Sequence, residues 1–122
     1  MAEQFVTLHC TPCPSCRFDA GQRIADGRLR WEESQYCPAY GVEACGGGWG
    51  PGPEWVRARI AAREGTVRLA VGGADGVPLR AVREVYGLSL PQLREARARG
   101  LDATPVEAEL LRGGGPRAAG GG

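Results

Sequence analysis

Five of the chain's 122 residues are cysteines, and all five fall in the first 45 positions: Cys10, Cys13 and Cys16 in the run His9-Cys10-Thr11-Pro12-Cys13-Pro14-Ser15-Cys16, then Cys37 and Cys45. A segment of this length buries too little apolar surface to hold a fold unaided, so a metal, a cross-link or a partner has to contribute. An odd count fits paired disulfides poorly. The first residues, Met1-Ala2-Glu3-Gln4, carry no basic run, and no long apolar stretch follows them. Neither a signal peptide nor a membrane span is expected, and the expected location is the reducing cytoplasm. There, clustered thiols are more often metal ligands or redox groups than disulfides.

Tetrahedral Zn2+ takes four soft ligands, and short-spaced cysteines on two turns deliver them with little ordering cost. The expected ligands are Cys13, Cys16, Cys37 and Cys45, with Cys10 as the alternate because Cys10 and Cys13 share the same two-residue spacing. Cys13-Pro14-Ser15-Cys16 has the Cys-Pro-x-Cys form of a zinc knuckle, and residues 5–48 resemble a zinc ribbon. A closed site of four thiolates stabilises a fold and leaves no position for substrate. Two rivals stay open. Cys10-x-x-Cys13-x-x-Cys16 with the distal Cys37-Pro38 resembles the ligand pattern of [4Fe–4S] ferredoxins. Cys13 and Cys16 also have the spacing of a redox dithiol, although no βαβ pattern surrounds them.

Around the cysteines, Gln4 to His9 alternates like a strand, with His9 and Cys10 expected on opposite faces. Asp26-Gly27 is a hairpin signal between Arg17–Ile24 and Arg28–Glu32, and that hairpin is expected to bring Cys37 back beside Cys13 and Cys16. Residues 38–44 read as a short loop. The run Gly46-Gly47-Gly48-Trp49-Gly50-Pro51-Gly52-Pro53 reads as a linker, with a hinge at 49–53. Trp49 is expected to pack back over the metal module, the alternative being an exposed recognition aromatic. A helix is expected from Pro53 through Glu64 with Trp55, Val56, Ile60 and Ala62 as its apolar stripe, then a strand at 66–71 and a glycine-rich loop. Two helices follow on either side of Gly87. A last helix opens near Thr104-Pro105, where Glu107 completes a capping box. The glycine-rich tail from 113 is expected to be disordered.

Charge is uneven: residues 1–50 carry 4 Arg against 6 acids, and residues 51–122 carry 11 Arg against 8. All 15 basic residues are Arg, which fits a GC-rich coding bias, and a net charge of +1 is far from the footprint of a dedicated nucleic-acid domain. Within the basic half, Ala81-Val82-Arg83-Glu84-Val85-Tyr86-Gly87-Leu88-Ser89-Leu90 resembles the central signature of the C-terminal domain of the bacterial ribosomal stalk protein. The resemblance covers residues 66–96. It implies an αβ fold whose helix-Gly-helix face binds translation GTPases, with Leu79, Arg80, Arg83, Leu90 and Arg94 at the matching contact positions. Pro91-Gln92-Leu93 departs from that family's Lys-Glu-Ala. The same stretch also reads as a helix-turn-helix, with Val82, Tyr86, Leu88, Leu93 and Ala96 at the buried spacings and Arg94, Arg97 and Arg99 facing DNA.

Catalysis has little support. His9 is the only histidine and borders the cysteines, and Glu32 and Glu33 are neighbours that a strand would point in opposite directions. The expectation is therefore a small cytoplasmic α+β protein: a zinc-ribbon-like β module over 1–48, a hinge over 49–53, an αβ or helical unit over 54–112 and a tail over 113–122. Its expected role is binding a protein partner through the Arg-bearing helical hairpin. Nucleic-acid binding by ribbon plus helix-turn-helix, and iron–sulfur or thiol redox chemistry, are the alternatives.

Overall fold

The computed structural model of the chain describes residues 3–9, 17–39 and 41–113. Cys10, Cys13, Cys16 and the tail from 114 lie outside them, as do the expectations placed on them. The described residues form a mixed α+β structure with two antiparallel sheets and four helices. The first half is a four-stranded meander in the order β1 (Glu3–His9), β2 (Arg17–Ala25), β3 (Arg28–Cys37), β4 (Val42–Trp49). Asp26 and Gly27 both adopt positive φ, 55° and 70°. Those angles suit the two-residue turn whose twist matches a hairpin, so the Asp-Gly signal gives the β2–β3 hairpin that the sequence leads one to expect.

Alternation sorts the sheet into two faces. Phe18, Ala20, Gln22 and Ile24 on β2 stand with Leu29, Trp31, Glu33, Gln35 and Cys37 on β3, because Ile24 pairs with Leu29, Gln22 with Trp31 and Ala20 with Glu33. This is the covered face, where Ala20 and Gln22 are sealed and Leu29 is 3% exposed. The outer face carries Arg17, Asp19, Arg23, Arg28, Arg30, Glu32, Ser34 and Tyr36, continued on β4 by Glu43, Cys45 and Trp49.

The second half supplies the cover. Helix α1 (Glu54–Glu64) lays Val56 and Ile60 on Ala20, Phe18 and Trp31, and Trp55 meets Phe18 edge-on at 5.2 Å. Ala62, expected in the stripe, is exposed, because two residues on from Ile60 is about 200° around the helix, away from the Val56–Ile60 line. After β5 (Val67–Leu69), helices α2 (Leu79–Tyr86) and α3 (Leu90–Arg99) flank Gly87, and β6 (Leu101–Ala103) returns to pair with β5. Helix α4 (Pro105–Arg112) opens with the expected Thr104–Glu107 capping box. Leu69, Val71, Val82, Ala96, Ala103 and Leu111 form the centre of this half.

The two halves are not joined by a free linker. Gly46, Gly47 and Gly48 lie inside β4, since each pairs across to β3. The Gly50 N–H donates to the Leu29 carbonyl at 2.7 Å, and Gly52, at φ +89°, sits so close to Trp31 that a Cβ would fall 2.7 Å from its Cγ. Glycine at 52 is thus a packing requirement as well as a conformational one. The glycines read as a linker serve a strand and a tight corner.

The core also crosses the boundary. Leu29 and Ile24 of the hairpin pack with Val106 and Leu110 of α4 and with Val85 of α2.

Candidate functional site

Glu107 is the point where the halves lock. Its side chain has no solvent exposure and its carboxylate accepts from five donors. Arg57 on α1 donates Nε to Oε2 and Nη2 to Oε1, both at 2.8 Å, in the bidentate geometry that suits a planar guanidinium. Tyr86 Oη donates at 2.7 Å, Gln22 Nε2 at 2.7 Å, and the Thr104 N–H closes the capping box at 3.1 Å. Gln22 in turn donates to the Pro51 carbonyl at 3.0 Å and accepts from Thr104 Oγ1 at 2.6 Å. One buried carboxylate therefore ties β2, the 50–53 corner, α1, α2 and α4 together. Among the described residues every buried side-chain nitrogen or oxygen has a partner.

Burial alone would raise the Glu107 pKa, but the Arg57 bonds and charge, with the Gln22 and Tyr86 bonds, outweigh it and hold the carboxyl below its ordinary range. Burial and the Glu107 charge push the Tyr86 phenol up, so it stays protonated and donating. The sign for stability follows. A carboxyl depressed in the fold stabilises above the unfolded value of about 4.3 and loses that contribution as pH falls through its folded value. Thermal midpoints measured from neutrality down into the acid range are expected to drop below about pH 4.3, and a Glu107→Gln variant is expected to show a flatter acid limb. An unchanged limb in that variant would assign acid sensitivity to other carboxylates. With every acceptor position engaged and no solvent access, Glu107 serves as a staple rather than as a proton-transfer group.

The cysteines divide. Cys37, 7% exposed, ends β3 on the covered face. It lies at the end of the sheet where Arg17 pairs with Tyr36. Cys45 is exposed, pairs with Ser34, and points from the opposite face. Three residues of strand separate their rungs, about 10 Å at 3.3 Å per residue, whereas thiolates sharing one zinc ion sit within about 4 Å of each other. The sheet does not bring Cys37 and Cys45 together, while Cys13 and Cys16 of the expected ligand set lie outside the described residues. The reason is register: an eight-residue β4 begins at Val42, where the sequence reads as a loop through Ala44. Among the described residues, no three His, Cys, Asp or Glu side chains converge as a metal site.

On the helical hairpin the expected contact residues fare differently. Arg80 and Arg83, one turn apart on α2, are exposed, and so are Leu90, at 58%, and Arg94, one turn apart on α3. Arg80 meets Glu84 only loosely, at 4.0 Å. Leu79 is half-buried and packs against the core beneath, so it helps to anchor α2. Ser89 caps α3 in a capping box with Gln92, which gives the departing residues Pro91 and Gln92 a structural role at the helix start. The Gly87 turn borders a cleft of about 450 Å³ lined by Arg28, Trp49, Pro51, Val85, Tyr86 and Leu110.

Trp49 packs over no buried module. It is 46% exposed on the outer sheet face, with the Arg28 guanidinium 4.2 Å from its ring centroid and that of Arg30 at 5.3 Å. Glu32 and Glu33 do point to opposite faces, Glu32 held low by hydrogen bonds and charge from Arg23 and Arg30. No described helix is long and apolar enough to cross a membrane. Compared with protein-family models, with curated proteins and with solved structures, the chain matches none of them.

Proposed function

We propose that the chain is a small zinc-binding interaction protein that engages a protein partner through the α2–α3 hairpin. The observation that carries this reading is the division of labour within the hairpin. Val82, Ala81 and Ala96 fix it to the core, while Arg80, Arg83, Leu90 and Arg94 face outward around a large exposed leucine. Cationic side chains around an apolar anchor suit an acidic protein surface with a small hydrophobic recess. The order β5-α2-α3-β6-α4 and the hairpin sequence support a stalk-like reading, which makes a translation GTPase the first partner to test. Titration of a purified translation GTPase into the labelled chain is the experiment. Binding that weakens at least about tenfold in an Arg83→Glu/Arg94→Glu variant, as expected for like charge placed in an electrostatic contact, supports the reading. Binding indifferent to those changes sinks it.

The metal belongs to the end of the sheet that holds Cys37. With Cys45 on the other face, the ligands proposed here are Cys10, Cys13, Cys16 and Cys37, and the ion's contribution is to closing that end of the fold. Metal content per chain is expected to fall in Cys37→Ser and to stay at the parent level in Cys45→Ser. The reverse pattern would restore Cys45 as a ligand, and iron with a visible absorption band would replace zinc by a cluster.

A further inference from the structure

We propose that β4 is a dimerisation edge, at which two copies of this chain join their sheets antiparallel, β4 against β4, into one eight-stranded sheet. Among the described residues β4 pairs with β3 alone, and no further backbone hydrogen bond reaches residues 42–49. Natural edge strands are guarded by brevity, proline, bulges or charge, in particular lysine. β4 is lightly guarded: it is eight residues long, has no proline, runs in unbroken register with β3, and carries Glu43 as its one charge. Residues 43–47 and 49 are exposed, and Gly46-Gly47-Gly48 leaves the backbone bare for another strand to approach.

Symmetry narrows the register. Directly opposed residues of an antiparallel pair point to the same face, so a two-fold axis normal to the sheet must pass through a residue position. An axis at Gly46 aligns residues 43–49 of both copies, for about six to eight new backbone hydrogen bonds. It places Glu43 of each copy opposite Trp49 of the other, on the outer face, next to the Arg28 and Arg30 guanidinia that cover that ring. Among the described residues Glu43 has no ion-pair partner within its own chain, and neither does Arg28. The pairing gives both one and covers the exposed face of Trp49. At the axis the two Gly46 residues meet with no side chain between them.

Sedimentation equilibrium of the full chain with its metal, under reducing conditions, tests this. A concentration-dependent dimer is expected. A Cβ at Gly46 meets nothing closer than Glu33 Cγ at 3.7 Å, so Gly46→Lys is compatible with the fold, and it sets two ammonium groups face to face at the axis. Both Gly46→Lys and Glu43→Arg are expected to weaken the dimer at least about tenfold, the scale of like-charge juxtaposition in an interface, with an unchanged circular dichroism spectrum. Glu43→Arg/Arg28→Glu is expected to recover it. A chain that stays monomeric at every concentration overturns the proposal and leaves the edge to an extended strand of another protein. A dimer indifferent to both single changes places the contact elsewhere, and failure of the double variant to recover refutes the Gly46 register.

Discussion

Replacing Glu107 by alanine is expected to cost about 3–5 kcal/mol, the range for removing one partner of a buried ion pair. A domain of this size has about 5–15 kcal/mol in total. Most of the loss comes from what stays behind. Arg57 would keep its position between α1 and α4 without its carboxylate, while Tyr86 Oη, Gln22 Nε2 and the Thr104 N–H would each lose an acceptor. The Arg57 side chain retains 23% exposure, so water relieves part of the penalty and the lower half of the range is the better expectation. Urea unfolding followed by circular dichroism reads the effect directly. Glu109→Ala, two residues on and exposed on the same helix, is the control and should stay within about 0.5 kcal/mol of the parent. If the two variants were equally stable, the carboxylate would be no more than a helix cap.

That knot also marks the limit of what the sequence discloses. The Thr104–Glu107 box is legible because both partners fall within one helical turn, and capping chemistry is local. Gln22 and Arg57, 85 and 50 positions from Glu107, carry no local mark of their role. A mid-strand glutamine reads as a surface residue, and an arginine in an Arg-rich helix reads as a solvated charge. The same contrast runs through the fold. A helix with proline at the start and glycine at the end declares itself, as at Pro53 and Gly65 around α1. The three-residue strand β6 escapes, since Leu101-Asp102-Ala103 is too short to show a period and exists by pairing with β5.

Glycine misled in a specific way. Composition assigns Gly46–Gly52 to a flexible connection because glycine is permissive, but permissiveness also serves close packing. At Gly47 a Cβ would lie 2.7 Å from the Trp31 carbonyl oxygen, and at Gly52 it would meet the Trp31 ring. Position 31 on β3 thus accounts for two glycines that seemed to belong to a linker, through its backbone at Gly47 and through the tryptophan ring at Gly52. The consequence reaches the candidate metal site. Extending β4 through these glycines fixes the parity of Cys45, and parity sets it on the face away from Cys37. Spacing along the chain cannot reveal a face until the strand register is known.

Leu110→Ala is expected to lower stability by about 2–5 kcal/mol, the range for deleting a buried leucine side chain, and the way the loss is distributed is the stronger test. Leu110 is 5% exposed and sits where Leu29 and Ile24 of the hairpin meet Val106 of α4 and Val85 of α2. Two domains joined by a hinge would unfold separately: the helical signal in the far ultraviolet would shift while the fluorescence of Trp31, in the sheet, kept its midpoint. A shared core predicts that both midpoints fall together, because a cavity beside Leu29 removes support from the hairpin as directly as from α4. The fluorescence is read in a Trp49→Phe/Trp55→Phe background, because Trp49 lines the same cleft as Leu110 and Trp55 lies on α1, whereas Trp31 packs with Ala20, Val56 and Ile60 in the neighbouring cluster. Coincident transitions would also mean that anything stabilising the sheet stabilises α4 and α2 through the shared Leu29–Val106–Leu110 cluster. Separate transitions would break that coupling and return the sheet to an independent module.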